Sequence, residues 1–74
     1  MKRTKVESSN IAAVGYDKEQ QILEIEFNSK AVYQYFDVDS NVFDELMAAE
    51  SHGRYFNAHI KHVYSYKKVT KKAS

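Results

Sequence analysis

Seventy-four residues with a formal net charge of +1 and no cysteine suffice for one domain and no more. At this length folding buries only about 60–65% of the surface that the unfolded chain exposes, so the stability margin is thin. No disulfide can brace the fold, no thiolate is available as nucleophile or metal ligand, and no room is left for a deep active-site cleft or a small-molecule substrate.

The chain begins Met1-Lys2-Arg3-Thr4-Lys5, charged like the start of a signal peptide but without the apolar run that would follow. No apolar stretch approaches the roughly 20 residues needed to span a bilayer. A soluble, cytoplasmic protein that does not engage membranes is the expectation, with residues 1–7 a basic N-terminal tail.

Ala12, Val14 and Tyr16 alternate on one face of a predicted strand at 11–17. Leu23, Ile25 and Phe27 do the same at 21–28, with Glu24 and Glu26 on the opposite, solvated face. If Lys18–Gln21 form a four-residue loop, Tyr16 faces Leu23, Val14 faces Ile25 and Ala12 faces Phe27, and every large apolar group lies on one side. A third strand is predicted at 31–37. A two-residue loop before it would put Tyr33 and Tyr35 with the glutamates. A three-residue loop, Asn28-Ser29-Lys30, puts them with Ile25 and Leu23 and requires only Lys30 in the left-handed region, at a cost of order 1 kcal/mol. Both tyrosines are therefore expected on the core face.

Helical spacing begins after Asp39 or Ser40, either of which can N-cap. Val42, Phe43, Leu46 and Met47 make one stripe of a helix at 41–50, which Gly53 would end as a C′ glycine. A second helix is expected at 54–64 from Phe56, Ile60, Val63 and Tyr64. The predicted class is α+β: a three-stranded antiparallel meander followed by two helices packed on one face, β-β-β-α-α. It occupies residues 8–66, and residues 67–74 read as a basic C-terminal tail. Val14, Leu23, Ile25, Phe27, Leu46, Phe56 and Ile60 should form the core.

Charge is segregated along this order. All ten acids fall between Glu7 and Glu50 against only Lys18 and Lys30, whereas both ends are basic. Such segregation suits an anionic partner, or two solvated tails on an acidic body.

The residues offer no catalytic constellation. No serine sits in a nucleophile elbow, two glycines cannot make a phosphate loop, and Glu24 with Glu26 reads as a solvated sheet face. His59 and His62 have ligand-compatible spacing but no further donors, and Lys61 between them opposes a cation, so neither metal nor cofactor is expected. Tyr33-Gln34-Tyr35 could be a stacking platform, although core packing with the hydroxyls at the rim is the stronger reading. Arg54 and Tyr55 fall at a helix N-terminus, where free N–H groups favour an anion.

Ser8-Ser9-Asn10-Ile11, Val14-Gly15-Tyr16-Asp17, Tyr33-Gln34-Tyr35, Val38 and Ser51-His52-Gly53-Arg54-Tyr55-Phe56-Asn57, with Ile60 and Tyr64, together resemble the KTSC domain family. That family is named for the C-terminus of some lysyl-tRNA synthetases and also occurs as small stand-alone bacterial proteins. Lys30-Ala31 stands where members often have glycine, and Asp39 where proline often follows the valine. The family has no established activity; its attachment to a tRNA ligase suggests RNA. The leading expectation is a small non-catalytic RNA-binding module. It would use Arg54, Lys61, Lys67 and Lys68 for phosphate, with Tyr55 or the rim of Tyr33 and Tyr35 stacking. The alternative is a protein-interaction domain or homodimer formed through an open sheet edge.

Overall fold

A computed structural model describes residues 2–69. Lys71 and Lys72, part of the expected C-terminal tail, lie outside the described residues. The elements in chain order are β1 (Arg3–Lys5), β2 (Ile11–Asp17), β3 (Ile22–Phe27), β4 (Val32–Tyr35), α1 (Ser40–Ala48), α2 (His52–His59) and β5 (Tyr66–Val69). The strands form one antiparallel sheet in the order β1-β2-β3-β4-β5. The expected α+β class with both helices on one face holds, but the three-stranded meander becomes a five-stranded sheet. Two segments read as tails supply its edges. They are short and lysine-rich, and lysine on an edge strand keeps the unpaired backbone from joining other chains. A period-2 signal over three or four residues is too brief to compete with that charge. The expected open edges, β2 and β4, are consequently both paired.

Local chemistry sets the two hairpins. In the first, Asp17 pairs with Ile22 across a four-residue loop. The Asp17 carboxylate accepts the Glu19 and Gln20 backbone N–H groups, an Asx turn, and Gln21 takes φ 57°. In the second, the Lys30 N–H donates to the Phe27 carbonyl at 2.8 Å and Lys30 adopts φ 79°. The three-residue loop thus sets Tyr33 opposite Ile25 and Tyr35 opposite Leu23, on the core side. One expected pairing fails. Ile11, not Ala12, stands opposite Phe27, because a bulge interrupts the register between Ile11 and Ala13. The extra residue reverses the alternation and turns Ile11 inward, where it is fully buried.

Asp39 N-caps α1, its carboxylate accepting the Asn41 N–H at 3.0 Å. Gly53 does not end this helix. It is a buried residue inside α2, which starts earlier than expected because the Ser51 hydroxyl accepts the Arg54 N–H at 3.3 Å. A Cβ on Gly53 would lie 3.5 Å from both Asn10 Nδ2 and Ser8 Oγ, ordinary van der Waals contact, and its φ is not positive. Gly53→Ala should therefore fold normally and gain up to about 1 kcal/mol in helix propensity. Urea unfolding checks this; a loss of stability would mean that the contact is tighter than ordinary. The helix also stops short of the expected 64, at His59, with Ile60 as C-cap and turns beyond it. Val63, expected on the apolar stripe, is 62% exposed.

The core lies between the helices and one sheet face. Val14, Leu23, Ile25, Leu46, Phe56 and Ile60 are buried there as expected, joined by Ile11, Tyr35 and Val38. Phe27 is only half-buried. At one end Tyr16 stacks on Phe43, ring centroids 5.2 Å apart, and its hydroxyl donates to the Val38 carbonyl. Burial raises the Tyr16 phenol above its ordinary pKa, assisted by the Asp39, Asp17 and Asp44 carboxylates.

The opposite sheet face overturns another expectation. Glu24 is buried, 8% exposed. Register aligns Arg3, Gly15, Glu24, Gln34 and Lys67 in one row across all five strands. Gly15 presents no side chain, so Arg3 reaches Glu24 with Nη1 at 2.5 Å and Glu26 with Nε at 3.6 Å. From the other side Gln34 Nε2 donates to Glu24 at 2.7 Å. A buried carboxylate held by a cation and an amide is the arrangement that makes its burial tolerable.

Candidate functional site

Helical cover stops between β4 and β5. Tyr35 is 3% exposed beneath Phe56, whereas Tyr66, directly opposite it on β5, is 56% exposed. The uncovered strip is the floor of a cleft of about 560 Å³. Five rings make that floor. Phe27, Tyr33, Tyr66, Tyr35 and Phe56 form a closed circuit with neighbouring centroids 5.5–5.7 Å apart. All five pairs are edge-on or tilted rather than face to face, the edge-on ones in the geometry that ring quadrupoles prefer. The volume lies within the range of small-ligand sites. The expectation excluded a deep active-site cleft, and this one is instead open surface left by two short helices on a five-stranded sheet.

The walls are polar. The Ser8 hydroxyl accepts the Asn10 and Ile11 N–H groups and fixes the bend that carries Ser9 and Asn10. The Asn28 N–H donates to the Asn10 carbonyl at 2.8 Å, and its carboxamide donates to the Ser8 carbonyl at 3.1 Å. Asn57, Lys61 and His62 close the facing wall. Among the described residues no carboxylate lines the cleft. The acids concentrated between Glu7 and Glu50 are kept elsewhere by the fold.

The expected site residues do not form one site. Tyr33, Tyr35 and Lys61 come together in the cleft. Lys68 lies on the same sheet face opposite Tyr33, but Lys67 lies opposite Gln34 on the other face. Arg54 and Tyr55 border a separate shallow depression with Glu50 and His59. At the α2 N-terminus there, one of the free N–H groups, that of Arg54, already has an acceptor in the Ser51 hydroxyl. The Tyr55 hydroxyl donates to Glu45 at 2.7 Å, and this bond, followed by burial, pushes its pKa up to about 12. His59 packs on the Tyr55 ring rather than beside His62 in the cleft. Among the described residues no three His, Cys, Asp or Glu side chains group to hold a metal ion. The residues missed from the sequence are Tyr66, Asn10, Asn57 and His62. Asn10 and Asn57 stand in the short motifs that resemble the family and His62 beside His59, whereas Tyr66-Lys67-Lys68-Val69, with two lysines in succession, shows no apolar–polar alternation and gave no signal.

Burial, then the Tyr33 and Tyr66 phenols, push the Tyr35 hydroxyl up to about 12 from its ordinary 10. A raised folded-state pKa contributes stability that is intact below about pH 10 and lost as pH climbs from about 10 to 12. Urea unfolding across that window should show the decline, and Tyr35→Phe should shallow it. Identical slopes for both proteins would remove Tyr35 as a cause.

Residues 7–64 match the KTSC domain family. The chain belongs to that family. A protein of Stutzerimonas stutzeri described only as uncharacterized is 51% identical over 57 residues, covering 77% of this KTSC domain's chain and 80% of its own. A lysine–tRNA ligase of a Nostoc species is 39% identical over 66 residues, 89% of this chain but only 12% of the ligase. The crystal structure of a KTSC domain protein from Yersinia pestis superposes with a TM-score of 0.91 at 36% identity, covering 93% of this chain and 97% of that one. Among the described residues of this KTSC domain no helix is long and apolar enough to cross a membrane.

Proposed function

We propose that this KTSC domain is a non-catalytic module that binds RNA at the aromatic cleft. One observation carries the reading: an aromatic floor with Lys61 and His62 at its rim and no carboxylate among its described lining. Aromatic faces accept bases, and cations hold the phosphates between them. The Nostoc ligase adds support, since its name states a tRNA substrate and it contains a segment similar to this chain. Such binding draws on counterion release. With about three phosphate contacts, affinity for single-stranded RNA should fall with salt at a log–log slope near −2. Lys61→Ala should reduce that slope by about 0.7 and weaken all sequences alike, whereas Lys67→Ala, on the far face, should leave it unchanged. Equal effects of both variants would reduce the interaction to diffuse attraction by surface lysines and end the cleft assignment.

A second reading rests on β5. It is an edge strand that begins at Tyr66, 56% exposed, three residues after Val63, 62% exposed, and this apolar pair suits a protein partner that adds a strand in spite of the lysines that deter indiscriminate pairing. That reading predicts weak salt dependence and NMR line broadening confined to Tyr66–Val69.

A further inference from the structure

Resting on the RNA-binding reading and narrowing it, the geometry points to a receptor for a single unpaired nucleotide. The base would stack on Tyr66, its edge would meet asparagine carboxamides, and its phosphate would meet Lys61 and His62.

The rings define what can enter. Tyr66 stands 5.6 Å from Tyr33 with the planes inclined at 50°, so the two do not stack face to face. Tyr66 is more than half exposed, while Tyr35 and Phe56 below are sealed. A planar heterocycle can therefore lie against Tyr66 without disturbing the core. Inside a duplex both faces of a base are stacked and its pairing edge is occupied, so only an unstacked base can offer face and edge together.

The walls supply the second contact. Among the described residues the Asn57 and Asn10 carboxamides have no hydrogen-bond partner, whereas that of Asn28 is engaged by the Ser8 carbonyl. A carboxamide offers donor and acceptor side by side, the complement of a base edge. Asn57 stands on α2 and Asn10 on the bend that Ser8 fixes, so both sit on supported backbone. Charge complementarity completes the argument. Lys61 and His62 adjoin Asn57 across one helical turn and its C-terminal extension, on a rim without carboxylates. A nucleotide brings the three features that this cleft can meet: a flat face, a polar edge and an anion.

The test is an NMR titration of the intact chain at low salt with uridine and adenosine 5′-monophosphates, ribose 5-phosphate, a single-stranded RNA and the same RNA in duplex form. Both nucleotides should shift Tyr33, Asn57, Lys61 and Tyr66; ribose 5-phosphate should not, and the single strand should bind more tightly than the duplex. Tyr66→Ala should weaken nucleotide binding about five- to hundredfold, the range for loss of one base–aromatic stack, while Tyr66→Phe should retain it. Asn57→Ala, at an exposed helix position, provides a second variant that should fold normally. Equal shifts with ribose 5-phosphate would overturn the proposal in favour of simple anion binding. A salt-dependent single strand that binds Tyr66→Ala as well as the parent, without nucleotide shifts in the cleft, would overturn it while leaving the RNA reading intact. If neither nucleotide nor RNA binds, both fall.

Discussion

Replacing Phe56 with alanine should destabilise the domain by about 3–5 kcal/mol, the usual loss for a buried aromatic. Phe56 is 5% exposed on α2 and packs edge-on against Phe27 and Tyr35, with centroids 5.5 Å away in both cases. It is the contact through which α2 seats on β3 and β4. The short helix has little stability of its own, since eight residues are too few to hold a helix in water without tertiary packing. A domain of this size rarely has more than about 3–5 kcal/mol in hand, so the variant should melt more than about 10 °C below the parent or fail to fold. Val63→Ala is the control, because Val63 is largely exposed and the change should stay within about 0.5 kcal/mol. Melting curves that place the two variants together would refute the packing described for α2.

Arg3→Ala should cost about 1–3 kcal/mol. Removing one partner of a buried ion pair strands the other, which costs about 3–5 kcal/mol when both are sealed. Here the Arg3 side chain is 29% exposed and that of Glu24 10%, so water recovers part of the loss. The Gln34 carboxamide also remains to donate to Glu24. Lys5→Ala provides the comparison. Lys5 is exposed on the same strand, opposite Ala13, and its loss should be within about 0.5 kcal/mol. Chemical denaturation that finds Arg3 and Lys5 equally dispensable would return residues 1–7 to the status of a solvated tail.

Phe56 is a place where sequence and tertiary structure agree, Arg3 one where they diverge. Leu23, Ile25 and Phe27 announced β3, and the strongest statement available was that Tyr33 and Tyr35 join them. That statement reduced to one backbone decision, Lys30 in the left-handed region, and local turn chemistry was enough to make it. The Asp39 cap was legible for the same reason, since a cap involves neighbours within one turn. Gly53 shows the limit of such reasoning. Glycine after a helical stripe ordinarily terminates it, but Ser51 two residues earlier is the stronger signal and starts α2 around the glycine.

The sequence alone determined the α+β class, the two hairpins, most of the core and membership of the KTSC family, because each rests on periodicity, on turns of a few residues or on ordered short motifs. Tertiary structure decided what those elements were for. Arg3 and Glu24 are 21 positions apart, and no local pattern says that they meet over Gly15. Tyr66 follows Phe27 by more than half the chain, yet the two share one aromatic floor. β5 forms only because the chain, after two helices, returns to the free edge of β4, where its backbone groups find partners that the isolated segment lacks. The same return leaves Tyr66 uncovered beside Tyr35. The cleft, and which of Lys67 and Lys68 shares a face with the tyrosines, follow from pairing between strands distant in sequence. Periodicity within a strand says which residues share a face; only its neighbours decide what that face meets.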